Sequence, residues 1–175
     1  MEESNLLKII QVETDEHKTY VQELFCEYLN WANLMFQRQF NISFDVNAFL
    51  EQDMAKLQQF APPEGRVLLG EYETKIAGCG CLRKIGEDVG EVKRMYVKPE
   101  FRRKGIGKSL LQAIIYEDHQ IGYAIIRLDT APFAKEAQAL YRSLGFQEIS
   151  PYAESEIPEK YRSSWIFMEL FFKPN

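Results

Sequence analysis

Apolar and polar positions along the chain alternate between two periods. Leu6 to Val12 is a short apolar run that predicts a first strand. Val21, Leu24, Phe25, Tyr28, Leu29 and Ala32 then recur at helical spacing. Thr14 stands where it can cap that helix, with Asp15 and Glu16 in the first turn, where the helix dipole favours acids. Asn41 to Asp45 breaks the pattern, and Phe49, Met54 and Leu57 predict a shorter second helix ended by Pro62-Pro63. Three strands come next: Arg66 to Tyr72, Lys75 to Lys84 and Val89 to Val97, joined by short turns at Glu73-Thr74 and Gly86-Asp88, so they should pair antiparallel. After Pro99 the period changes. Ile106, Leu110, Leu111, Ile114 and Ile115 mark an amphipathic helix with Gly122 beyond its end. Ala124 to Leu128 is a compact strand, and Ala134, Ala137, Leu140, Tyr141 and Leu144 form another helix that Gly145 can end. Phe146 to Ile149 and Ser164 to Phe172 close the chain as strands.

The order β-αα-βββ-α-β-α-β-β predicts a mixed sheet with helices on its faces, α+β or α/β in class. The strand-helix-strand unit over 89–129 should cross over right-handed and bring its strands parallel. No repeat, low-complexity tract or Pro/Gly/Ser linker divides residues 1–175, so one domain is expected.

Charge narrows the functional classes. Lys plus Arg is 21 and Asp plus Glu is 26, a net charge of −5, which disfavours holding a nucleic-acid backbone by general electrostatics. No apolar run of about 18 residues predicts a membrane span, and MEESNLLKII has neither a basic n-region nor a cleavage site. Cys26, Cys79 and Cys81 are too few for a disulfide scaffold and read as reduced thiols, which points to the cytoplasm. With only His17 and His119 besides, no four-ligand metal set is visible.

The segment Arg102-Arg103-Lys104-Gly105-Ile106-Gly107 follows a strand and opens a helix. Glycines there let the backbone turn sharply and approach a ligand, and the free N–H groups of the helix start point outward at its positive end. A phosphate or pyrophosphate is the natural ligand. Gly107-Lys108-Ser109 ends like a Walker loop, but that motif needs glycine where Arg102 stands; a dinucleotide fingerprint needs a third glycine where Leu110 stands. A solvated basic turn explains the charges but not the paired glycines after a strand.

The run Glu91-Val92-Lys93-Arg94-Met95-Tyr96-Val97, then R-R-K-G-I-G-K-S-L-L, resembles the acyl-CoA motif of the GNAT superfamily of N-acetyltransferases, with Arg102, Gly105 and Gly107 at the motif's fixed positions. Ala137 to Phe146 is similar to the family's second hallmark, a helix ending in Leu-Tyr-x-x-x-Gly-Phe. The two motifs cover residues 89–149, and together they carry the resemblance further than either alone. It implies a mostly antiparallel sheet flanked by helices on both faces, acetyl-CoA as the acyl donor, an amine acceptor and no metal. The family often dimerises, which leaves a homodimer open. It also implies that the coenzyme's pantetheine arm lies along Met95, Tyr96 and Val97, in a slot opened by strands that splay after Met95. Arg102, Arg103, Lys104, Gly105, Ile106, Gly107, Lys108 and Ser109 would hold the pyrophosphate.

Acyl transfer from a thioester to an amine needs a proton removed from the amine, a donor for the oxyanion and a proton for the leaving thiolate. Tyr141 matches the family's tyrosine beside the thioester sulfur and is the candidate acid; the plain alternative is an apolar helix-face residue beside Leu140 and Leu144. Glu91, eleven positions before Arg102, is the candidate base; the alternative is a surface residue paired with Lys93 two positions along the strand. A backbone N–H near Tyr96 or Val97 would meet the oxyanion. Where many relatives carry a coenzyme-binding Asn, this chain has Ala134, and Phe133 before it is either an apolar coenzyme contact or core. His119 beside Asp118 is read as a last-turn residue of an exposed helix end. Trp31, Phe36, Phe40 and Phe44 read as core, in a region that in the family also walls the acceptor pocket, as does the loop with Tyr152, Glu154, Glu156 and Tyr161. An acidic rim there would favour a cationic amine. The alternative to an N-acetyltransferase is a non-catalytic acyl-CoA-binding regulatory module.

Overall fold

In a computed structural model, which describes residues 6–172, seven strands form one sheet in the order β1-β2-β3-β4-β5-β7-β6. The strands are β1 Leu7–Gln11, β2 Arg66–Tyr72, β3 Lys75–Gly86, β4 Val89–Val97, β5 Ile125–Thr130, β6 Gln147–Ile149 and β7 Ile166–Phe171. The helices are α1 Asp15–Phe40, α2 Val46–Ala55, α3 Ile106–Ile121, α4 Lys135–Ser143 and the short α5 Glu159–Arg162. Every predicted strand and helix is present. The first helix runs past Ala32 to Phe40, Leu57 lies in a separate 3₁₀ turn (Leu57–Phe60) after α2, and α5 has too few apolar positions to show a period. Thr14 caps α1 by accepting from the N–H of His17 at 3.1 Å, and Asp45 caps α2 through Ala48 at 3.1 Å.

Pairing is antiparallel throughout except between β4 and β5, as the connection lengths require. Apolar residues fill both faces. On one, α3 and α4 press Ile106, Leu110, Leu111, Ile114 and Tyr141 onto Leu82, Val92, Ile126, Leu128 and Met168. On the other, α1 packs Val21, Leu24 and Phe25 against Leu69, Cys79, Cys81 and Tyr96. Strand alternation sends every second residue to each side.

Two irregularities in β4 open the middle of the sheet. Its parallel ladder with β5 holds only three pairs, Val89↔Ile125 to Glu91↔Arg127, and then stops. The strands therefore part after Glu91, earlier than the expected Met95. On its other side the register with β3 jumps from Cys79↔Tyr96 to Cys81↔Lys93, two steps on β3 against three on β4. That is a β-bulge. Arg94 at its centre takes the left-handed φ of 54°, and its carbonyl accepts from the Cys79 thiol at 3.3 Å.

Candidate active site

The fork between β4 and β5 opens at the top of α3. Met95, Tyr96 and Val97 lie along the β4 edge that β5 has left. Directly after it, a 3₁₀ turn (Pro99–Phe101) leads into Arg102, whose Nε donates to the Val97 carbonyl at 3.1 Å and whose guanidinium lies 6.0 Å from the Tyr96 ring. Arg103 and Gly105 both have left-handed φ, 62° and 76°. This alternation turns successive N–H groups toward one side. Arg102 N–H bonds back to Pro99 and Ser109 N–H to Gly105, whereas the N–H groups of residues 103–108 have no backbone acceptor among the described residues. Six free donors at the start of a four-turn helix, with the exposed cations Arg103, Lys104 and Lys108 around them, have the geometry of an anion cradle. Buried Ile106 fixes the cradle to the core.

The two glycines serve different ends. At Gly105 a Cβ would meet nothing within 4 Å, but its φ of 76° strains any side chain. Gly107 lies in ordinary helical conformation, and a Cβ there would touch only Leu140 and Val97 at 3.6 and 3.7 Å. The fold itself tolerates a side chain at 107. What glycine leaves clear there is the approach of a ligand to the backbone.

Tyr141 lies on the α3 face, 6% exposed, its ring 6.0 Å from Phe146. Burial pushes its phenol well above the ordinary tyrosine range, and Tyr28 and Asp129 raise it further. The phenol stays protonated and makes no hydrogen bond among the described residues, leaving its proton free for a ligand in the fork.

Glu91 sits at the crotch of the fork and is fully buried. It is not a surface residue and does not pair with Lys93. Its Oε1 accepts from Arg83 Nε at 2.8 Å, and Oε2 from the Tyr152 hydroxyl at 2.6 Å. Burial, then the Glu91 charge, drive the Tyr152 phenol far above its ordinary value, so it remains the donor. Lys93 instead faces Asp129 at 3.9 Å and Glu156 at 3.4 Å. Counting on from Glu91↔Arg127, Lys93 stands opposite Asp129, so a side-chain ion pair continues the fork where the backbone ladder has ended. Asp129 also accepts from Ser155 Oγ at 3.0 Å. Arg94 makes a bidentate pair with Asp53 of α2 at 2.8 and 2.7 Å and reaches Glu156 at 4.0 Å.

The acceptor side therefore differs from the expected acidic rim. Burial pushes the Glu156 carboxyl up, but Lys93, Arg83 and Arg94 outweigh it and its pKa ends below the ordinary value. Glu154 contributes its carbonyl to Arg83, and Tyr152 is inside. Of these two acids, Glu156 is held by the three cations, while the exposed Glu154 carboxylate makes no ion pair among the described residues. The aromatics differ too: Trp31, Phe36, Phe40 and Phe44 are half-buried, not core. Phe133 is half-buried; its ring packs edge-on to Trp31 at 5.5 Å and to Phe36 at 5.9 Å, and Trp165 lies 6.3 Å away. Ala134, the N-cap of α4, offers no side-chain hydrogen bond, and the buried Gln138 ties the helix to the segment before it by donating to the carbonyls of Ala131 and Pro132 at 2.8 and 3.3 Å. His119 is exposed against Phe172, but Asp118 is buried, so that helix end is not open as expected.

Sequence reasoning missed Asp53, Arg83, Asp129 and Ser155 and the bulge at Arg94. A signal was present: a central strand cannot hide Glu91, Lys93 and Arg94 unless neighbouring elements supply partners. Two surface grooves of about 550 and 560 Å³ lie elsewhere, one lined by Glu16, Glu71 and Lys98, the other by Arg66, Lys84 and Tyr123; neither includes the cradle, Tyr141 or Glu91. Among the described residues no helix is long and apolar enough to cross a membrane and no cluster of three His, Cys, Asp or Glu is placed to hold a metal.

Comparison with known proteins agrees with this geometry. Residues 18–146 match the acetyltransferase (GNAT) family. An uncharacterised N-acetyltransferase of Schizosaccharomyces pombe is 34% identical over 146 residues, covering 82% of each chain. An uncharacterised N-acetyltransferase of Bacillus subtilis is 39% identical over 82 residues, 46% of this chain and 54% of that one. Among solved structures, a GNAT acetyltransferase from Staphylococcus aureus superposes with a TM-score of 0.72 at 22% identity, covering 95% of this chain and 99% of that one. The PaiA N-acetyltransferase of Thermoplasma acidophilum, solved in complex with coenzyme A, gives 0.72 at 18% identity with the same coverage. The chain belongs to the GNAT family of acetyltransferases, acyltransferases that use acetyl-CoA as cosubstrate.

Proposed function

We propose that this protein is an N-acetyltransferase that moves acetyl from acetyl-CoA directly to a primary amine of a small molecule or protein, both substrates being bound together. The observation that carries the reading is the β4–β5 fork ending in the six free N–H groups of residues 103–108. The diphosphate of the coenzyme fits the cradle, and its arm continues along Met95, Tyr96 and Val97 as a substitute for the missing strand neighbour. The amine nitrogen attacks the thioester carbonyl, the C–N bond forms, and the C–S bond breaks as the tetrahedral oxyanion collapses. A β4 backbone N–H near Tyr96 or Val97 is the proposed donor to that oxyanion. Tyr141 donates to the departing sulfur as the acid. The amine's proton leaves to water. Glu91 is fully buried and already accepts from Arg83 and Tyr152, contacts that support an anchoring role at the crotch of the fork over that of the base. The buried thiols of Cys79 and Cys81, pushed up by burial (Cys79 to about 12), are poor nucleophiles and fit a reducing, cytoplasmic setting.

Thiol release from acetyl-CoA with a broad amine panel tests the reading, with calorimetry for coenzyme binding. Tyr141→Phe is expected to lower kcat about 100-fold or more with an unchanged acetyl-CoA affinity. Glu91→Gln is expected to lower the Tm more than turnover. Coenzyme binding without turnover on any amine would favour the regulatory module; loss of turnover in Glu91→Gln at an unchanged Tm would restore the base role.

A further inference from the structure

Three cations of the sheet converge on one carboxylate of a loop. Arg83 Nη1 lies 3.1 Å from Glu156 Oε1, and Lys93 Nζ and Arg94 Nη2 lie 3.4 and 4.0 Å from Oε2. Each cation also has its own acid on a strand or helix: Arg83 has Glu91, Lys93 has Asp129, and Arg94 has Asp53. In those three pairs no side chain is more than 17% exposed, whereas Glu156 is 38% exposed. Buried charges are costly when unpaired. Removing Glu156 leaves none of them so, because three acids still balance three cations. Its carboxylate is the surplus member of the set, it stands at the solvent side, and it comes from the loop between β6 and β7 rather than from the sheet.

Its position matters as much as its charge. Lys93 is the first residue of β4 on this face beyond the last backbone pair with β5, and Arg94 lies in the bulge against β3 that follows directly. Half-buried rings continue from there: the Arg94 guanidinium lies 5.9 Å from the Tyr28 ring, Tyr28 lies 6.2 Å from Trp31, and Trp31 lies 5.5 Å from Phe133. Fixed cations holding a displaceable carboxylate, beside an apolar wall and at the mouth of the fork, match the two ends of an amino acid whose amine enters the fork.

We propose that the acceptor carries a carboxylate as well as its amine, as an amino acid does, and that this carboxylate takes the place of Glu156 against Arg83, Lys93 and Arg94. The inference rests on the acetyltransferase reading and narrows its acceptor. Glu156 is then a specificity-determining residue: it keeps the cations paired while the site is empty and competes with acceptors for them.

Calorimetric titration of the CoA-saturated protein with the common L-amino acids and with their α-carboxamides tests this, because the amide keeps the size and removes the charge. At least one acid is expected to bind ten-fold or more tighter than its amide. Glu156→Gln, with circular dichroism confirming its fold, should tighten that acid several-fold, leave the amide unchanged and leave the CoA affinity unchanged. Amides binding as well as acids, a Glu156→Gln variant that weakens both alike, or no amino acid binding at all would each overturn the proposal. CoA binding in the same titrations separates the two readings: if it persists, only the carboxylate acceptor falls, and if it is absent, the acetyltransferase reading falls with it.

Discussion

At the scale of single residues, the most exposed weakness of the fold is a carboxyl group with nothing to bind it. Both oxygens of Asp118, near the end of α3, are buried without a hydrogen-bond partner among the described residues, and burial raises its pKa to about 8. A Cβ on Gly90 of β4 would overlap Oδ1 of Asp118, so the carboxyl occupies the space that the glycine leaves. Linkage sets the sign of the effect on stability. The folded pKa lies above the unfolded value near 3.8, so the neutral acid favours the fold. The contribution is fully present below about pH 4 and is lost as pH climbs through about 8. Asp118→Asn removes the ionisation and keeps the shape. Its thermal stability should match the wild type near pH 4 and exceed it near pH 9 by several kcal/mol, about 1.4 kcal/mol for each pH unit between the two pKa values, read by thermal melts across that range. A difference independent of pH would mean that the carboxyl is paired in solution.

At the scale of elements, the loop from β4 into α3 separates what glycine does for the fold from what it does for a ligand. Gly105→Ala forces a left-handed φ on a side chain and should cost about 1 kcal/mol of stability. Gly107→Ala meets only ordinary contacts at 3.6 and 3.7 Å, so its Tm should stay unchanged while CoA affinity falls ten-fold or more by calorimetry. Unchanged CoA affinity in Gly107→Ala would place the diphosphate elsewhere. This loop was legible in the sequence because local chemistry writes it: paired glycines, cations, a strand before and a helix after. So were the strands and long helices, through period and punctuation. The acceptor side was not legible in the same way. Lys93 and Asp129 face each other only because β4 and β5 run parallel in one register, and Asp53 meets Arg94 only because a bulge swings that side chain toward α2. Such pairs are long-range, with no period to betray them. Glu156 looked like part of a solvated acidic rim for the same reason: its partners lie on strands about 60–70 residues earlier.

At the scale of the whole molecule, the sheet is two halves joined by little backbone. β1 to β4 form one antiparallel block and β5, β7 and β6 the other, and three parallel pairs at 89–91 are all that the ladder places between them. Below the fork, α3 and its apolar face bind the halves together. At the crotch, the Lys93–Asp129 pair and the loop residues Ser155 and Glu156 bridge them with charge. Above it β4 has no ladder partner on the β5 side among the described residues, and a coenzyme arm lying along Met95 to Val97 would take that place. Binding should therefore stabilise the molecule unevenly. At 100 times its Kd, CoA adds about 2.7 kcal/mol to the folded state, a rise of roughly 5–10 °C in Tm for a chain of this size. Hydrogen exchange should locate it: amides of residues 93–97 and 103–108 should slow most, β5 should come next because its edge is no longer open, and β1 and β2 at the far edge should change least. Protection spread evenly over all seven strands would mean that the ligand tightens the fold without entering the fork, and the division of the sheet into two halves would then have no part in coenzyme binding.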